Sequence, residues 1–533
     1  NGYGHFVGPF LIFKIYWASF ALLLAIGSNL MWIRGTEANW KSRMKQFRQR
    51  FTTPAKVGVI SGLILFIGFG GFIYYNTNIL HDFTTTKESR QEQADYEKQY
   101  ARYENLAQPV ITDVNVNLDI YPEKRNFHFD GTYILKNKAR TNIDTLIILQ
   151  HTDMEIQKMR LSKEFRPVIE DKEAGFYVYK LSSPLQPGDS INLNFDIAYI
   201  SKGFKNNGSN TAILENGTFI HNTHLPLIGY NTNLELSNNK IREKFGLKKE
   251  PPIAPIGDTN ARMDTYIAKN SDWVNFETTV STRSDQIALA PGYLINKWEE
   301  NGRTYYHYKM DSKVLNFFAW LSADYKIKRD RWNDVDIAVY YQEGHEYNVD
   351  NMIRSVKKSL DYYTENFSPY QYKQVRIMEF PRFRTYAQSF PNTIPFSESI
   401  GFIADVDKDD INYPFWVTAH EMAHQWWGHQ VIGGNVEGCT VMSEVLAQYS
   451  SVMVMLKEFG EKIVQNFIDH EQDAYLKGRT KERIKESPML YVRPNQGYIH
   501  YGKGCVAMYS LQDYIGEENL NKAIKEFRNK YAY

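Results

Sequence analysis

The sequence predicts a multidomain α/β chain in three parts: two transmembrane helices, a β-sandwich-like domain, and an α/β domain that carries the chemistry. Three observations predict it. Two uncharged apolar runs near the start are each about long enough to cross a hydrocarbon core. Beyond residue 110, apolar and polar residues alternate with a period of two, the mark of half-buried strands. From residue 349 onward, apolar residues recur at helical spacing. A length of 533 residues leaves room for about three domains. Hydrophobic residues at 43% and charged residues at 23% are ordinary globular values, which excludes a disordered or fibrous chain.

The first apolar run covers residues 15–33 and reaches back to about Phe10 if Lys14 snorkels. The second covers 57–77. Soluble core helices rarely run this long without a charge, and a cleaved signal peptide does not come in two copies. Between the runs lie Arg34, Lys41, Arg43, Lys45, Arg48, Arg50 and Lys56 against one acid, Glu37. A short basic loop stays on the cytoplasmic side. Residues 10–80 are therefore expected to form the membrane segment of an inner or plasma membrane protein, with loop 34–56 cytoplasmic. Everything after about residue 80 is expected to be extracytoplasmic, with 81–109 a solvated helical linker. The chain starts without Met and stops within a helical pattern, and reads as a piece of a longer protein.

In the second part, Val114, Val116, Leu118 and Ile120 alternate with polar residues. Phe127, Phe129, Tyr133 and Leu135 do the same, as do Ile191, Leu193, Phe195 and Ile197. Turn clusters at Asn206-Asn207-Gly208-Ser209 and Glu215-Asn216-Gly217 separate further strands. Residues 110–325 read as the β-sandwich-like domain and 326–533 as the α/β domain. Within the latter, helices are expected at 349–367, 412–432, 440–457, 501–515 and 517–531, with a strand at Val375–Phe380. Asn412 and Pro414 start the second of these helices and Gly433-Gly434 ends it. Cys439 and Cys505 are the only cysteines, so no disulfide framework holds the fold. A net charge of +1 gives no field to attract nucleic acid.

The chemistry announces itself at His420-Glu421-Met422-Ala423-His424. On a helix, imidazoles four residues apart share one face and grip a single ion. Glu421 stands beside them, close enough to take a proton from water without binding the metal. One zinc ion is expected, and a catalytic zinc takes three protein ligands and keeps one position open. The third ligand is sought downstream, where Glu437 lies in a Gly-rich turn and Glu444 on the following helix. Glu444 is preferred, because a packed helix aims a side chain better than a turn does. His429, five residues after His424, falls off the ligand face, while Trp426 and Trp427 are expected to pack the helix.

HEMAHQWWGHQ followed by SEVLAQY resembles the aminopeptidase N-like zinc metallopeptidases, with their HELAHQWFG and, after a gap, NEGFA. The family leaves eighteen residues between the second histidine and the glutamate ligand. Here nineteen intervene, and the extra one is placed in the loop 433–439. Ser397 to Ile403 is similar to the family's GAMENWG segment, which implies that Glu398 binds the substrate's amino terminus. Pro395-Phe396-Ser397 stands where the family has Gly-Ala-Met. Tyr501-Gly502-Lys503-Gly504 resembles YEKG, which implies that Tyr501 donates to the oxyanion. The resemblance covers roughly 110–533. It implies a thermolysin-like catalytic domain cut short at its C-terminal end, and a front segment resembling the tail of a fused transporter permease, with transporter subunits as partners.

The expectation is a membrane-anchored zinc metallopeptidase acting on peptides, an aminopeptidase releasing N-terminal residues outside the cytoplasm. Zinc is held by His420, His424 and Glu444, with Glu421 and Tyr501 catalytic and Glu398 binding substrate. Two alternatives stay open: an endopeptidase of the same fold, and a non-catalytic peptide- or partner-binding module of a transporter.

Overall fold

Residues 7–31 lack any acid and hold one lysine, and they form a single helix, Val7–Met31. A second apolar helix, Thr53–Tyr74, continues through a π-helical turn to Ile79. The structure is a computed structural model that describes residues 6–32, 39–206, 210–407, 410–482 and 485–533. Both helices, of 25 and 27 residues, are long and apolar enough to cross a membrane. They pack antiparallel through small residues. A Cβ on Gly62 would lie 2.9 Å from Leu23 and one on Gly58 2.9 Å from Ile26, while Tyr16 stacks on Phe66 at 4.6 Å. Small residues permit such close backbone approach between helices in lipid. The intervening helix Trp40–Arg50 is capped by Asn39, and Arg50 donates to the carbonyls of Asn29 and Trp32 at the end of the first span. Ile33, Arg34 and Glu37 lie outside the described residues, as do Asn207, Gly208 and Ser209 of the expected turn.

The chain divides into two compact units, Asn1–Ser89 with Ser201–Asn210, and Arg90–Ile200 with Thr211–Tyr533. The second unit takes in the stretch read as a solvated linker from Arg90 onward, and there the outcome differs. Ala94, Tyr96 and Tyr100 of the helix Thr86–Tyr100 are buried. Tyr100 stacks on Phe176 at 4.1 Å and Tyr96 on Tyr230 at 5.1 Å. Tyrosines four apart make one packed face, which a count of charges along the segment does not register.

Beyond it, Val110–Tyr121 sits inside an eight-stranded sheet, antiparallel to Asn126–Lys136 and parallel to Ser271–Arg283. The alternating residues Val114, Val116, Leu118, Ile120, Phe127 and Phe129 are all 2% exposed or less. They pack in one core with Leu146, Ile148, Tyr177 and Tyr179 of a separate four-stranded sheet, giving the β-sandwich-like part.

The last part builds a second core. Four strands, Lys326–Trp332, Val335–Tyr341, Gln374–Phe380 and Thr393–Ser397, make its sheet, the last three parallel to one another. An outer arm, residues 386–390, folds back on Thr393–Ser397. The Gln388 N–H donates to Pro395, Phe390 to Thr393, and Ser397 to Tyr386. In an antiparallel pair such bonds alternate along the strand, so the N–H and C=O of Ala387 and Ser389 face away from the sheet. Helix Val349–Asn366 buries Ile353, Val356, Leu360 and Tyr363. The helix carrying the HExxH motif begins as expected, with Asn412 accepting from the Phe415 N–H.

That helix spans Tyr413–Ala423, shorter than the expected 412–432. His424 caps it, and the chain turns at Gly428, whose φ of +150° favours glycine. The turn sinks Trp426 and Trp427 completely, their indole N–H groups donating to Ser368 and Ser450. An ideal helix continued through 432 would carry the two indoles past these acceptors.

The next elements each open with a π-helical turn, Val441–Val445 before the helix Leu446–Phe459 and Tyr498–Lys503 before Gly504–Ile515. Gly502 in the second turn lies against the helix Glu461–Arg479, where an added Cβ would come 2.8 Å from the Glu471 carbonyl oxygen. Gly502→Ala is expected to destabilise the fold by about 1–3 kcal/mol through this overlap, read as a lower midpoint in urea unfolding, whereas Gly257→Ala, with open space around its Cβ, leaves the midpoint unchanged.

Candidate metal centre

The last turn of the helix Tyr413–Ala423 aims His420 and the capping His424 to the same side, with their Nε2 atoms 3.1 Å apart. The π-turn Val441–Val445 brings Glu444 to meet them. Its Oε2 lies 3.5 Å from His420 Nε2 and 3.6 Å from His424 Nε2. Three donors thus form a nearly equilateral triangle. Donors ~2.1 Å from a tetrahedral zinc stand ~3.4 Å from one another, so the triangle fits that ion. Glu444 Oε2 is buried and makes no hydrogen bond within the protein, as a metal-directed oxygen should. His424 Nδ1 lies 3.0 Å from the Trp427 carbonyl, to which it donates, leaving the Nε2 lone pair for the ion. Glu437, the other acid considered, is not part of this group.

The triad's charges are coupled. Burial opposes charge on Glu444, but His424 and His420 hold its carboxyl well below the usual range. Burial likewise opposes charge on His424, yet Glu444 lifts that imidazole to about 9. Glu421 is 6% exposed. Burial raises its carboxyl, against the pull of both histidines and a hydrogen bond from the Ser389 backbone N–H. A raised carboxylate is a better proton acceptor.

Tyr501 stands on the second π-turn, its ring 6.1 Å from that of His420 and its hydroxyl donating to Glu444. The residue is 40% exposed, while its hydroxyl is turned to Glu444. Burial and the Glu444 charge hold it protonated, above the ordinary phenol range.

Two neighbours, Tyr266 and Ser389, escape sequence reasoning, and His500, which the sequence sets beside Tyr501, is buried rather than on the surface. Tyr266, far back in the chain, donates or accepts at 2.6 Å with Ser443, next to the ligand Glu444. Ser389 touches Glu421, and its carbonyl accepts from His429 Nε2 at 3.0 Å. Burial lowers the His429 imidazole to about 4, so it is a neutral donor that positions this strand. His500 is buried, with its ring 4.6 Å from that of Tyr501. No short motif marks Tyr266 or Ser389, since each arrives through tertiary contact.

Glu398 is placed elsewhere. It groups with His345 and Glu379 rather than with the triad, and its Oε1 accepts from the Arg382 N–H. The residue that reaches Glu421 from this part of the chain is Ser389, nine positions earlier.

The extra residue between His424 and Glu444 also has a location besides the loop 433–439. A π-turn accommodates one more residue than an α-turn, and the π-turn here holds Glu444 itself.

Comparison with known proteins agrees with this geometry. Residues 351–533 match the peptidase family M1 domain. The chain is 22% identical over 276 residues to a leucyl aminopeptidase of Saccharolobus solfataricus, covering 48% of this chain and 34% of that protein. It is 22% identical over 276 residues to the human endoplasmic reticulum aminopeptidase 2, covering 49% and 28%. The chain thus spans about a third of the length of these relatives. The fold is that of the M1 zinc metallopeptidase of Deinococcus radiodurans, with a TM-score of 0.54 at 15% identity over 80% of this chain and 88% of that one. The match to the peptidase family M1 domain thus falls on the segment that holds His420, His424 and Glu444, and zinc is the ion these donors suit.

Two outcomes follow for the metal. Glu444→Gln is expected to lower zinc affinity by at least ~10-fold, measured by competition with a chromophoric chelator. Zinc must displace the proton that Glu444 holds on His424, so affinity rises with pH toward about 9 and falls as the solution is acidified.

Proposed function

We propose that this chain, with its M1 peptidase domain at residues 351–533, is a membrane-anchored zinc aminopeptidase that hydrolyses peptides outside the cytoplasm. The observation that carries the chemistry is the His420–His424–Glu444 triangle with Glu421 and Tyr501 at its rim. Zinc, when bound, polarises the scissile carbonyl and acidifies water. Glu421 takes the proton from the attacking water and delivers it to the leaving amine. The Tyr501 hydroxyl, kept protonated, donates to the oxygen on which negative charge develops. His429 holds the Ser389 carbonyl, and the Ser389 N–H keeps the Glu421 carboxylate aimed.

Two helices of sufficient length and apolarity support the membrane anchor, and Lys41, Arg43, Lys45, Arg48, Arg50 and Lys56 between them support a cytoplasmic loop. The same reading takes these helices as part of a permease segment and transporter subunits as partners, which co-purification in mild detergent tests. For orientation, a cysteine introduced at Lys45 in intact cells should resist an impermeant maleimide, while one at Lys172 reacts.

A second reading, endopeptidase, is favoured by one observation. Glu398, the expected anchor for a substrate's amino terminus, lies with His345 and Glu379, outside the zinc triad. An endopeptidase needs no such anchor. Turnover of an aminoacyl anilide against its N-acetylated form separates the two, and equal rates would exclude the aminopeptidase.

Glu421→Ala should lower kcat by ~10²–10⁴-fold with zinc content unchanged. Hydrolysis indifferent to that substitution would leave only a binding module. Tyr501→Phe should cost kcat by ~10²–10³-fold with KM nearly unchanged, as expected of a donor used only in the transition state.

A further inference from the structure

The sheet that carries the zinc-site helices ends in a second group of metal-capable side chains. His345 follows the strand Val335–Tyr341, Glu379 lies at the end of Gln374–Phe380, and Glu398 follows Thr393–Ser397. These three strands are neighbours and parallel, so the three residues sit at adjacent carboxyl ends. Crevices at the carboxyl ends of parallel strands are where open α/β sheets hold ligands. One ligand atom from each residue lies within 4.8 Å of the others.

Glu379 is the unusual member. It is fully buried, with Oε1 2.5 Å from His345 Nδ1 and Oε2 accepting from the Gln342 N–H at 2.6 Å. Burial, with the nearby Glu398 charge adding to it, pushes its carboxyl up to about 7. A fully buried carboxylate beside the half-buried Glu398 calls for more positive charge than one partly exposed imidazole supplies.

We propose that His345, Glu379 and Glu398 form a second divalent-cation site. One imidazole and two carboxylates suit zinc or manganese, with water completing the shell. The role is mechanical. Glu398 also accepts from Arg382, at the root of the hairpin whose outer arm presents Ser389 to Glu421. A cation there staples three strand ends to that root and steadies the arm. The site is separate from the catalytic triad and shares no ligand with it.

The test uses the full chain in detergent micelles, stripped with a chelator, dialysed against zinc or manganese, and assayed for bound metal. Wild type should hold about two equivalents of zinc, His345→Ala about one, and the double variant His420→Ala/His424→Ala also about one. His345 is partly exposed, so its removal should leave the fold intact, checked by near-ultraviolet circular dichroism. Manganese should raise the melting temperature of wild type but not of His345→Ala, which a merely structural loss would not mimic. The proposal falls if wild type binds about one equivalent, or if His345→Ala binds as much as wild type. It also falls if Glu398→Gln keeps full metal content yet loses discrimination between free and acetylated substrates, which would make the cluster an amine site.

Discussion

Three donor atoms have to meet within about 3.5 Å of one another, and this requirement governs the whole C-terminal part of the chain. Two donors come from one helical turn and cost little to align. The third comes from a different element twenty positions later, and its approach depends on how the two helices pack. Trp427, bonded to Ser450, ties the turn after His424 directly to the helix that continues from Glu444. Trp426, bonded to Ser368, ties the same turn to the end of the helix Val349–Asn366. The triangle is therefore set by apolar packing, with the indole N–H groups giving it direction.

Charge then works inside that frame. The site is dry enough that each ionisation depends on its neighbours. Glu444 stays ionised because two imidazoles face it, whereas Glu421, with the same partners at greater effect from burial, is raised. Two carboxylates in one site thus differ in ionisation from environment alone, as the proposed roles of ligand and base require. Tyr501 keeps its proton because burial and the Glu444 charge oppose a phenolate, whereas Glu444 loses its own to the two imidazoles.

Both Glu444 and Tyr501 ride on π-helical turns. A π-turn shifts the face of everything that follows by roughly a residue, and it opens the helix where it occurs. A one-residue change in spacing between ligands is thereby absorbed without moving either helix axis. The Ser389 arm reaches the site from the sheet, with its N–H on Glu421 and its carbonyl on His429.

Local rules were enough for much of this. Apolar runs, period-two alternation and the HExxH spacing act within a few residues, so helices, strands, the paired histidines and the glutamate beside them were legible from the order of residues alone. Glu444 was legible because its helix was, and Tyr501 because its short motif was. The ends of the HExxH helix were not, since Trp426 and Trp427 found partners some 58 and 23 positions away. Nor was the fate of the tyrosine-faced helix Thr86–Tyr100, whose cover comes from Phe176 and Tyr230. Glu398 and Ser389 show the division most clearly. They lie on the two arms of one hairpin, and only the pairing register, a long-range fact with no local signature, decides which of them turns toward Glu421 and which toward His345.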